Sequence, residues 1–338
     1  MNIKTLGIDL AKNIFQIHGV DYKGKRLINK AIKRNKLPEF INQLPPCLIA
    51  MEACGGSNYW GQKFKEMGHD VKLISPQFVK PYVKSNKNDM VDAEAICEAV
   101  TRPNMRFVAI KNKEQQDIQC IHKVRARLVK EKTALVNQIR GLLHEYGVVI
   151  PQGISYVKSE LPLILEDSNN GLTLRGRELF NDLYIQLKNI VLKVEEYDKK
   201  VEKICASNPI CKLVCKLPGI GPLTATAIVA LIGNINVFKN GRELSAYLGL
   251  VPRQHSSGGK TRLLGISKRG DRYVRCLLIH GARAVLFRAK NLPASKANWL
   301  KELILRRGFN RTVVALANKN ARTIWAIMTK GEEFVWNM

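Results

Sequence analysis

The chain has 338 residues, of which 46% are hydrophobic and 25% charged, so it is long enough for about two domains with real cores and is not disordered by default. Its formal net charge is +27, from 55 Lys and Arg against 28 Asp and Glu. The simplest physical use of such an excess is the release of counterions from a nucleic-acid backbone, which predicts DNA, RNA or both as partners.

Other classes of protein are disfavoured by the same sequence. The longest apolar candidate, residues 223–232, contains Thr and is too short to span a bilayer, so we expect no membrane attachment. Asp9 interrupts the first apolar run and no small-residue cleavage site follows it, which predicts a cytoplasmic protein. The eight cysteines form no CxxC pair, which favours reduced thiols over a zinc site.

The first quarter of the chain has the pattern of an α/β domain. Short β-type runs separated by Asn, Gly and Pro predict strands at 3–11, 15–20, 25–32, 47–53 and 71–75, with helices at 37–44 and 59–67. Three strands followed by helix, strand, helix and strand is also the order of an RNase H-like fold. A further short strand is predicted at 106–109.

Four acidic residues stand out in this region. Asp9 ends the first strand and Glu52 the fourth, while Asp89 and Asp92 are spaced i, i+3 on one face of a helix that begins near Asp89. Carboxylates that converge in this way are suited to hold two divalent metal ions for phosphoryl transfer. The competing interpretation makes Asp89 a helix N-cap and Asp92 a partner of the helix dipole. Asp9 is harder to explain structurally, because a carboxylate inside an apolar run is costly unless it is paired.

Two long helices are predicted next, at 113–146 and 177–205, with a turn region at 151–170. Together they predict an antiparallel coiled-coil arm. The segment LPGIGPLTA that follows resembles a helix-hairpin-helix element, in which Gly219 and Gly221 allow backbone N–H groups to face a phosphate. A simple helix-turn-helix packing unit is the alternative. Between residues 253 and 311 there are fifteen Lys or Arg and only two acids.

Residues 249–275, GLVPRQHSSGGKTRLLGISKRGDRYVR, place a serine pair and a glycine pair among these cations. Glycine has no side chain to hold a phosphodiester away from the backbone, which predicts a phosphate-handling loop. Pairs of Ser and Gly are also ordinary turn chemistry.

The motifs GIDLAK, MEACGG, KNDMVDAEAI, LPGIGPLTA and the segment 249–275 occur in order, and in this the chain resembles the IS110 family of insertion-sequence transposases, which is related to the Piv-type DNA invertases. The resemblance covers essentially the whole chain. It implies a RuvC-like DEDD domain at 1–110, a coiled-coil helical arm at 111–207, and a mostly α-helical C-terminal transposase domain with the serine loop at 208–338. It also implies a guide (bridge) RNA that pairs with donor and target DNA.

Carried over by motif, the four acids are Asp9, Glu52, Asp89 and Asp92, which the resemblance makes Mg²⁺ ligands and catalytic residues. The family serine precedes a glycine, which favours Ser257 over Ser256 as nucleophile. Relatives commonly have Thr where this chain has Asn88, and we expect little consequence. The implied reaction is attack of the serine on a DNA phosphodiester, followed by strand exchange. Exchange between two duplexes needs more than one active site, which predicts a homodimer or tetramer.

The basic residues beside the serines are candidates for phosphate binding; they are Arg253, Lys260, Arg262, Lys268, Arg269 and Arg272. His255 is a candidate base, although a lone His beside a serine is more often a packing or phosphate contact. Two other functions are compatible with the sequence. One is a RuvC-like metal-dependent nuclease or junction resolvase that uses water as nucleophile, and the other is a non-catalytic nucleic-acid-binding protein.

Overall fold

The computed structural model describes residues 2–84, 88–288 and 294–332. The chain divides into two compact units, the first formed by residues 1–116 and 232–239 and the second by residues 117–231 and 240–338. The first unit is a mixed α/β structure, and the second is mostly helical. Both classes agree with the prediction from the sequence.

The first unit contains one mixed sheet of six strands. The strands are β1 (Thr5–Asp9), β2 (Ile14–Val20), β3 (Arg26–Lys33), β4 (Leu48–Glu52), β5 (Asp70–Ile74) and β6 (Phe107–Val108). Their order in the sheet is β3-β2-β1-β4-β5-β6. Strands β1 to β3 form an antiparallel meander, β1, β4 and β5 are parallel, and β6 is antiparallel to β5. The predicted runs of β-type residues therefore correspond to real strands.

Helices cover both faces of this sheet. They are α1 (Leu37–Asn42), α2 (Ser57–Glu66), α3 (Pro76–Val79) and α4 (Asp89–Val100). Leu6 and Ile8 of β1 belong to one hydrophobic cluster with Trp60 and Phe64 of α2. Ala50 of β4 belongs to a second cluster, with residues of α4. Since successive strand residues point to opposite faces, odd positions of β1 and even positions of β4 face α4.

Gly7 permits an unusually close approach of α4 to the centre of the sheet. A Cβ atom at this position would overlap the carbonyl oxygen of Ala93 and would lie 2.8 Å from the backbone nitrogen of Cys97. No side chain fits between β1 and α4 here. The missing Cβ therefore sets the distance between the strand that ends in Asp9 and the helix that begins at Asp89.

The second unit is built mainly from helices. They are α5 (Lys113–His144), α6 (Ile154–Glu166), α7 (Leu174–Ser207), α8 (Pro209–Cys215), α9 (Pro222–Ile232), α10 (Gly241–Tyr247), α11 (Arg272–Phe287), α12 (Ala294–Arg307) and α13 (Phe309–Lys330). A short hairpin of β7 (Pro252–Gln254) and β8 (Leu263–Ile266) is inserted between α10 and α11. Across the described residues, no helix combines the length and the apolar character needed to cross a membrane.

The long helices α5 and α7 run antiparallel. Arg125, in the first half of α5, forms a 2.5 Å ion pair with Asp198, near the end of α7. Residues near the end of α5 share a hydrophobic cluster with Phe180, near the start of α7. The region 151–170, expected to be a turn, instead contains helix α6, whose Val157 and Leu161 are buried in the same cluster. Pro162 lies within this helix, and Pro and Asn in the segment had favoured a turn.

His122 links three helices of the second unit through a buried hydrogen-bond chain. Its Nε2 lies 3.0 Å from Thr226 Oγ1 of α9, and its Nδ1 lies 3.1 Å from the Tyr273 hydroxyl of α11. The Thr226 hydroxyl donates to the carbonyl of Pro222, so its oxygen is available to accept from Nε2–H. Neutral imidazole satisfies this chain, and burial lowers the pKa of His122 to about 4, helped by the charge of Arg125.

Replacing Gly7 with Ala is expected to destabilise the protein by about 1–3 kcal/mol, because the added methyl group overlaps the backbone of α4. Chemical denaturation measures the change in free energy of unfolding. Gly141→Ala is the matched control: Gly141 is exposed in α5 with no atom within 4 Å of an added Cβ, and the substitution should stabilise by up to about 1 kcal/mol. Equal effects at the two positions would contradict the close approach.

His122 is expected to make the protein less stable as the pH falls. Its folded pKa of about 4 lies below the ordinary value of 6.5, so between these values the unfolded state binds more protons. The free energy of unfolding should therefore fall by up to about 3 kcal/mol from pH 6.5 to pH 4 relative to His122→Gln. Denaturation curves across this range measure the difference. His144→Gln, at an exposed position, should keep the wild-type pH dependence.

Candidate active site

Asp9 and Glu52 lie at the same edge of the sheet. Ile8 pairs with Met51 across the parallel strands β1 and β4, and the next residue of each is the last of its strand, at the carboxyl end. By the alternation of strand side chains, Asp9 and Glu52 both face α4. Both are half-buried. The crevice beyond the carboxyl ends of parallel strands is a common location for binding sites in α/β proteins.

The start of α4 brings two further carboxylates to this edge. The N-cap is Asn88, whose side chain accepts a 3.1 Å hydrogen bond from the Met90 backbone N–H. Asp89 is the first helical residue and is not the cap, so the alternative that made it the N-cap is wrong. Asn88 therefore has a structural function, since Asn and Thr both cap helices. One turn later, Asp92 lies on the same side of the helix.

Asp9, Asp89 and Asp92 form a cluster in which one carboxylate oxygen from each residue lies within 4.8 Å of the others. Glu52 ends the adjacent strand but is not a member of this close group. Desolvation, followed by the charges of Glu52 and Asp9, raises the pKa of the Cys54 thiol. The predicted convergence of the four acids is therefore seen for three, with the fourth on the neighbouring strand.

The other acids of α4 have a different environment. Lys84 Nζ lies 2.9 Å from Glu98 and 3.7 Å from Glu94, and Arg102 pairs with Glu98 at 2.5 Å. Neither Asp89 nor Asp92 forms a salt bridge with any residue that the structure describes. Carboxylates that lie this close repel one another, and a bound metal ion reduces that repulsion. A donor set made only of carboxylate oxygens fits a hard divalent cation.

The serine pair lies at the tip of the β7–β8 hairpin. The Lys260 N–H donates to the Ser257 carbonyl at 3.0 Å, and Gly258 and Gly259 between them have φ of 54° and 75°. Two consecutive positive φ angles define a type I′ turn, which joins antiparallel strands without opposing their twist. The geometry of the turn therefore requires glycine at both positions, whether or not a phosphate binds there. All residues from 252 to 263 are exposed.

Hydrogen bonding distinguishes the two serines. Ser256 Oγ accepts from Gln254 Nε2 at 2.9 Å and from the Arg262 N–H at 3.4 Å, so it helps to hold the two strands together. The Ser257 hydroxyl makes no side-chain hydrogen bond to any part of the chain that the structure describes. The backbone of His255 pairs with Arg262. Its side chain is exposed and therefore does not pack in the interior.

The six basic candidates around the hairpin are all exposed; they are Arg253, Lys260, Arg262, Lys268, Arg269 and Arg272. Arg275 was not among them, and it is only 7% exposed. Its Nη1 donates to the carbonyls of Leu248 at 3.1 Å and Arg269 at 2.6 Å. This buried guanidinium therefore fixes the backbone that carries the exposed cations. In the sequence, the only indication that Arg275 differs from the exposed cations is its position in the first turn of a helix, after GDRYV.

The two glycines of LPGIGPLTA have separate functions. Gly219 has φ of 82°, and a Cβ there would lie 2.7 Å from the carbonyl carbon of Gly281 in α11, so this glycine serves helix packing. Gly221 is exposed, with open space where a Cβ would be, immediately before α9. Of the pair, Gly221 is the one whose surroundings leave room for a phosphate.

The acid cluster lies in the first unit, and the serine hairpin with its cations lies in the second. Both regions carry motifs that resemble those of the same family.

Two family patterns match the chain. The DEDD transposase domain of IS110 elements matches residues 6–148, which include the acid cluster, and the family described as Transposase IS116/IS110/IS902 matches residues 211–299, which include the serine hairpin.

Three curated relatives match almost the whole chain. A transposase for insertion sequence element IS1111A from Coxiella burnetii is 50% identical, covering 98% of this chain and 92% of the relative. A probable family 20 transposase from Pseudomonas aeruginosa is 45% identical over 98% of both chains. A transposase for IS1328 from Yersinia enterocolitica is 38% identical over 98% of this chain and 99% of the relative. This chain therefore belongs to the IS116/IS110/IS902 family of insertion-sequence transposases, which are DNA-processing enzymes.

Proposed function

We propose that the chain cuts and rejoins DNA through a covalent link between Ser257 and a DNA phosphate, with a divalent metal ion, Mg²⁺, held by Asp9, Asp89 and Asp92 and by Glu52 beside them. The observation that carries this proposal is the state of the Ser257 hydroxyl. It is exposed at a hairpin tip, it has no side-chain hydrogen bond to a described residue, and exposed cations lie on both strands. Ser256, by contrast, is engaged in holding the hairpin.

The proposed reaction exchanges one phosphodiester for another. Ser257 Oγ forms a bond to phosphorus, the bond from phosphorus to one deoxyribose oxygen breaks, and that oxygen leaves as a sugar hydroxyl after gaining a proton. The serine proton is lost in the same step. Attack by a sugar hydroxyl of another strand reverses the process and restores free serine, so no external energy source is required.

The basic residues of the hairpin supply the charge for binding the substrate. Arg253 and Arg262 flank the turn on opposite strands, and Lys260 pairs with Ser257 across it. A phosphate that approaches Ser257 would therefore meet guanidinium and ammonium groups that neutralise it. Arg275 keeps the adjoining backbone in place. When bound, Mg²⁺ would stabilise negative charge on phosphate oxygens.

The finer parts of the proposal follow from the family resemblance and from the charge of the chain. The strand order β3-β2-β1-β4-β5 supports a RuvC-like domain, and the antiparallel α5 and α7 support a coiled-coil arm. A net charge of +27 is ample for a guide (bridge) RNA in addition to donor and target DNA. Strand exchange between two duplexes requires at least two nucleophiles, which supports a homodimer or tetramer.

Ser257→Ala is expected to abolish a covalent protein–DNA species, because alanine has no oxygen to bond phosphorus. The measurement is incubation with end-labelled substrate DNA and Mg²⁺, followed by denaturing electrophoresis. Ser256→Ala is the matched control and should retain at least about a tenth of the wild-type adduct, since it removes a single hairpin hydrogen bond acceptor worth about 1 kcal/mol.

A different result would favour another function. Cleaved DNA without any adduct in the wild type would support a metal-dependent nuclease that uses water, for which the carboxylate cluster alone suffices. Loss of the adduct in Ser256→Ala with retention in Ser257→Ala would reassign the nucleophile.

Asp92→Asn is expected to weaken binding of Mn²⁺, used as a spectroscopic substitute for Mg²⁺, by about tenfold or more, because it removes a charged ligand from a cluster of three. Titration followed by electron paramagnetic resonance measures the affinity. Asp182→Asn, an exposed acid of α7, is the control and should leave the affinity unchanged. Equal affinities in the wild type and Asp92→Asn would remove the metal site from the proposal.

A further inference from the structure

One surface of α13 faces a large open cleft that the proposed chemistry does not use. The cleft has a volume of about 1630 Å³, above the ~300–1,000 Å³ typical of small-molecule pockets. Its wall is formed by α10, the base of the β7–β8 hairpin, the end of α12 and the outer face of α13. The opposite face of α13, which includes Leu316 and Ile324, is fully buried. We refer to this feature as the α13 cleft.

The charges of the α13 cleft are all positive. Its lining contains five cations and no acid; the cations are Arg242, Arg307, Arg311, Lys319 and Arg322. None of the four arginines forms a salt bridge with a residue that the structure describes. Four guanidinium groups around one concave surface produce a strong positive potential, which attracts a polyanion. The cations come from three different helices, so they are distributed around the cleft.

Aromatic side chains lie among these cations. Trp299 and Trp325 both line the cleft, and Lys319 Nζ lies 4.7 Å from the centroid of the Trp299 ring. Partial burial, followed by the charge of Arg322, lowers the pKa of Lys319. Lys319 is thus a partly buried cation beside an aromatic ring on this surface.

We propose that the α13 cleft binds an unpaired polynucleotide strand, with phosphates on the arginines and at least one base against tryptophan. The inference deepens the proposed function and rests on it for the assignment of the ligand as nucleic acid. Aromatic platforms within a cationic groove are suited to single strands, because the faces of unpaired bases are free to stack. A duplex presents phosphates and groove edges, and its bases are already stacked on one another.

The position of the cleft connects it to the candidate nucleophile. Pro252 and residues 263–266, at the base of the serine hairpin, form one side of the cleft. Asn318 Nδ2 of α13 donates to the carbonyl of Leu250, just before β7, at 3.3 Å. A strand in the cleft would therefore contact the same hairpin that carries Ser257 at its tip.

The double variant Arg307→Ala, Arg322→Ala tests the charge component. Fluorescence anisotropy would be measured with 12-nucleotide oligo-dT, oligo-rU and a 12-base-pair DNA duplex over a range of salt concentrations. We expect about a tenfold or greater loss of affinity for the single strands and a salt slope smaller by about 1.4, from two lost phosphate contacts at ~0.7 each. Arg306→Ala with Lys301→Ala removes two exposed cations of α12 that do not line the cleft, and should change single-strand affinity less than about twofold.

Trp325→Leu tests the stacking component. It should reduce single-strand affinity by about fivefold or more and leave duplex affinity within about twofold, with circular dichroism to confirm folding. A preference for oligo-rU or for oligo-dT would identify the source of the strand, and either upholds the proposal. An equal loss for duplex and single strands in the arginine variant would overturn it in favour of a duplex-binding surface.

Unchanged single-strand binding in the arginine variant would also overturn the proposal. These binding measurements need neither cleavage nor metal, so failure of the cleft is distinguishable from failure of the serine chemistry. The adduct assay with wild-type protein and Ser257→Ala reports on that chemistry alone.

Discussion

The close approach of α4 to β1 at Gly7 is the constraint on which the acid cluster depends. Asp9 ends the strand and Asp89 and Asp92 begin the helix, so the distance between their carboxylates is set by how near the two backbones lie. Any side chain at Gly7 would meet the backbone of α4. The alternation of strand side chains then directs Asp9 and Glu52 toward the same helix. One hydrogen atom in place of a side chain thus determines where three carboxylates meet.

Much of this arrangement was predictable from the sequence, because it depends on local patterns. Strands β1 to β5 alternate or run apolar between turn residues, and the i, i+3 spacing of Asp89 and Asp92 requires only a helix to place them together. The sequence alone does not show which of two similar neighbouring residues has a structural function. Asn88 caps the helix in place of Asp89, and the side chain of Ser256 holds the hairpin while the side chain of Ser257 does not. These differences depend on hydrogen-bond partners that are set by the fold.

The features missed from the sequence are those whose residues are dispersed or whose periodicity is weak. Strands β7 and β8 have three and four residues and lie among cations, so they show little alternation. Helix α6 contains Pro162, and the residues around it resemble a turn. The α13 cleft draws its cations from positions 242 to 322, and no local sequence pattern links them. Only the packing of four elements reveals their common surface.

The type I′ turn at the tip of the serine hairpin limits how the exposed segment can vary. Loops on protein surfaces usually tolerate insertions, yet here the two glycines fix both the length of the turn and the pairing of Ser257 with Lys260. An added residue before the turn shifts the register by one, and strand side chains then exchange faces. The hydroxyl would point to the opposite side of the hairpin without any change in composition. Length, more than the identity of the neighbouring side chains, is therefore the property of this segment that selection has most reason to preserve.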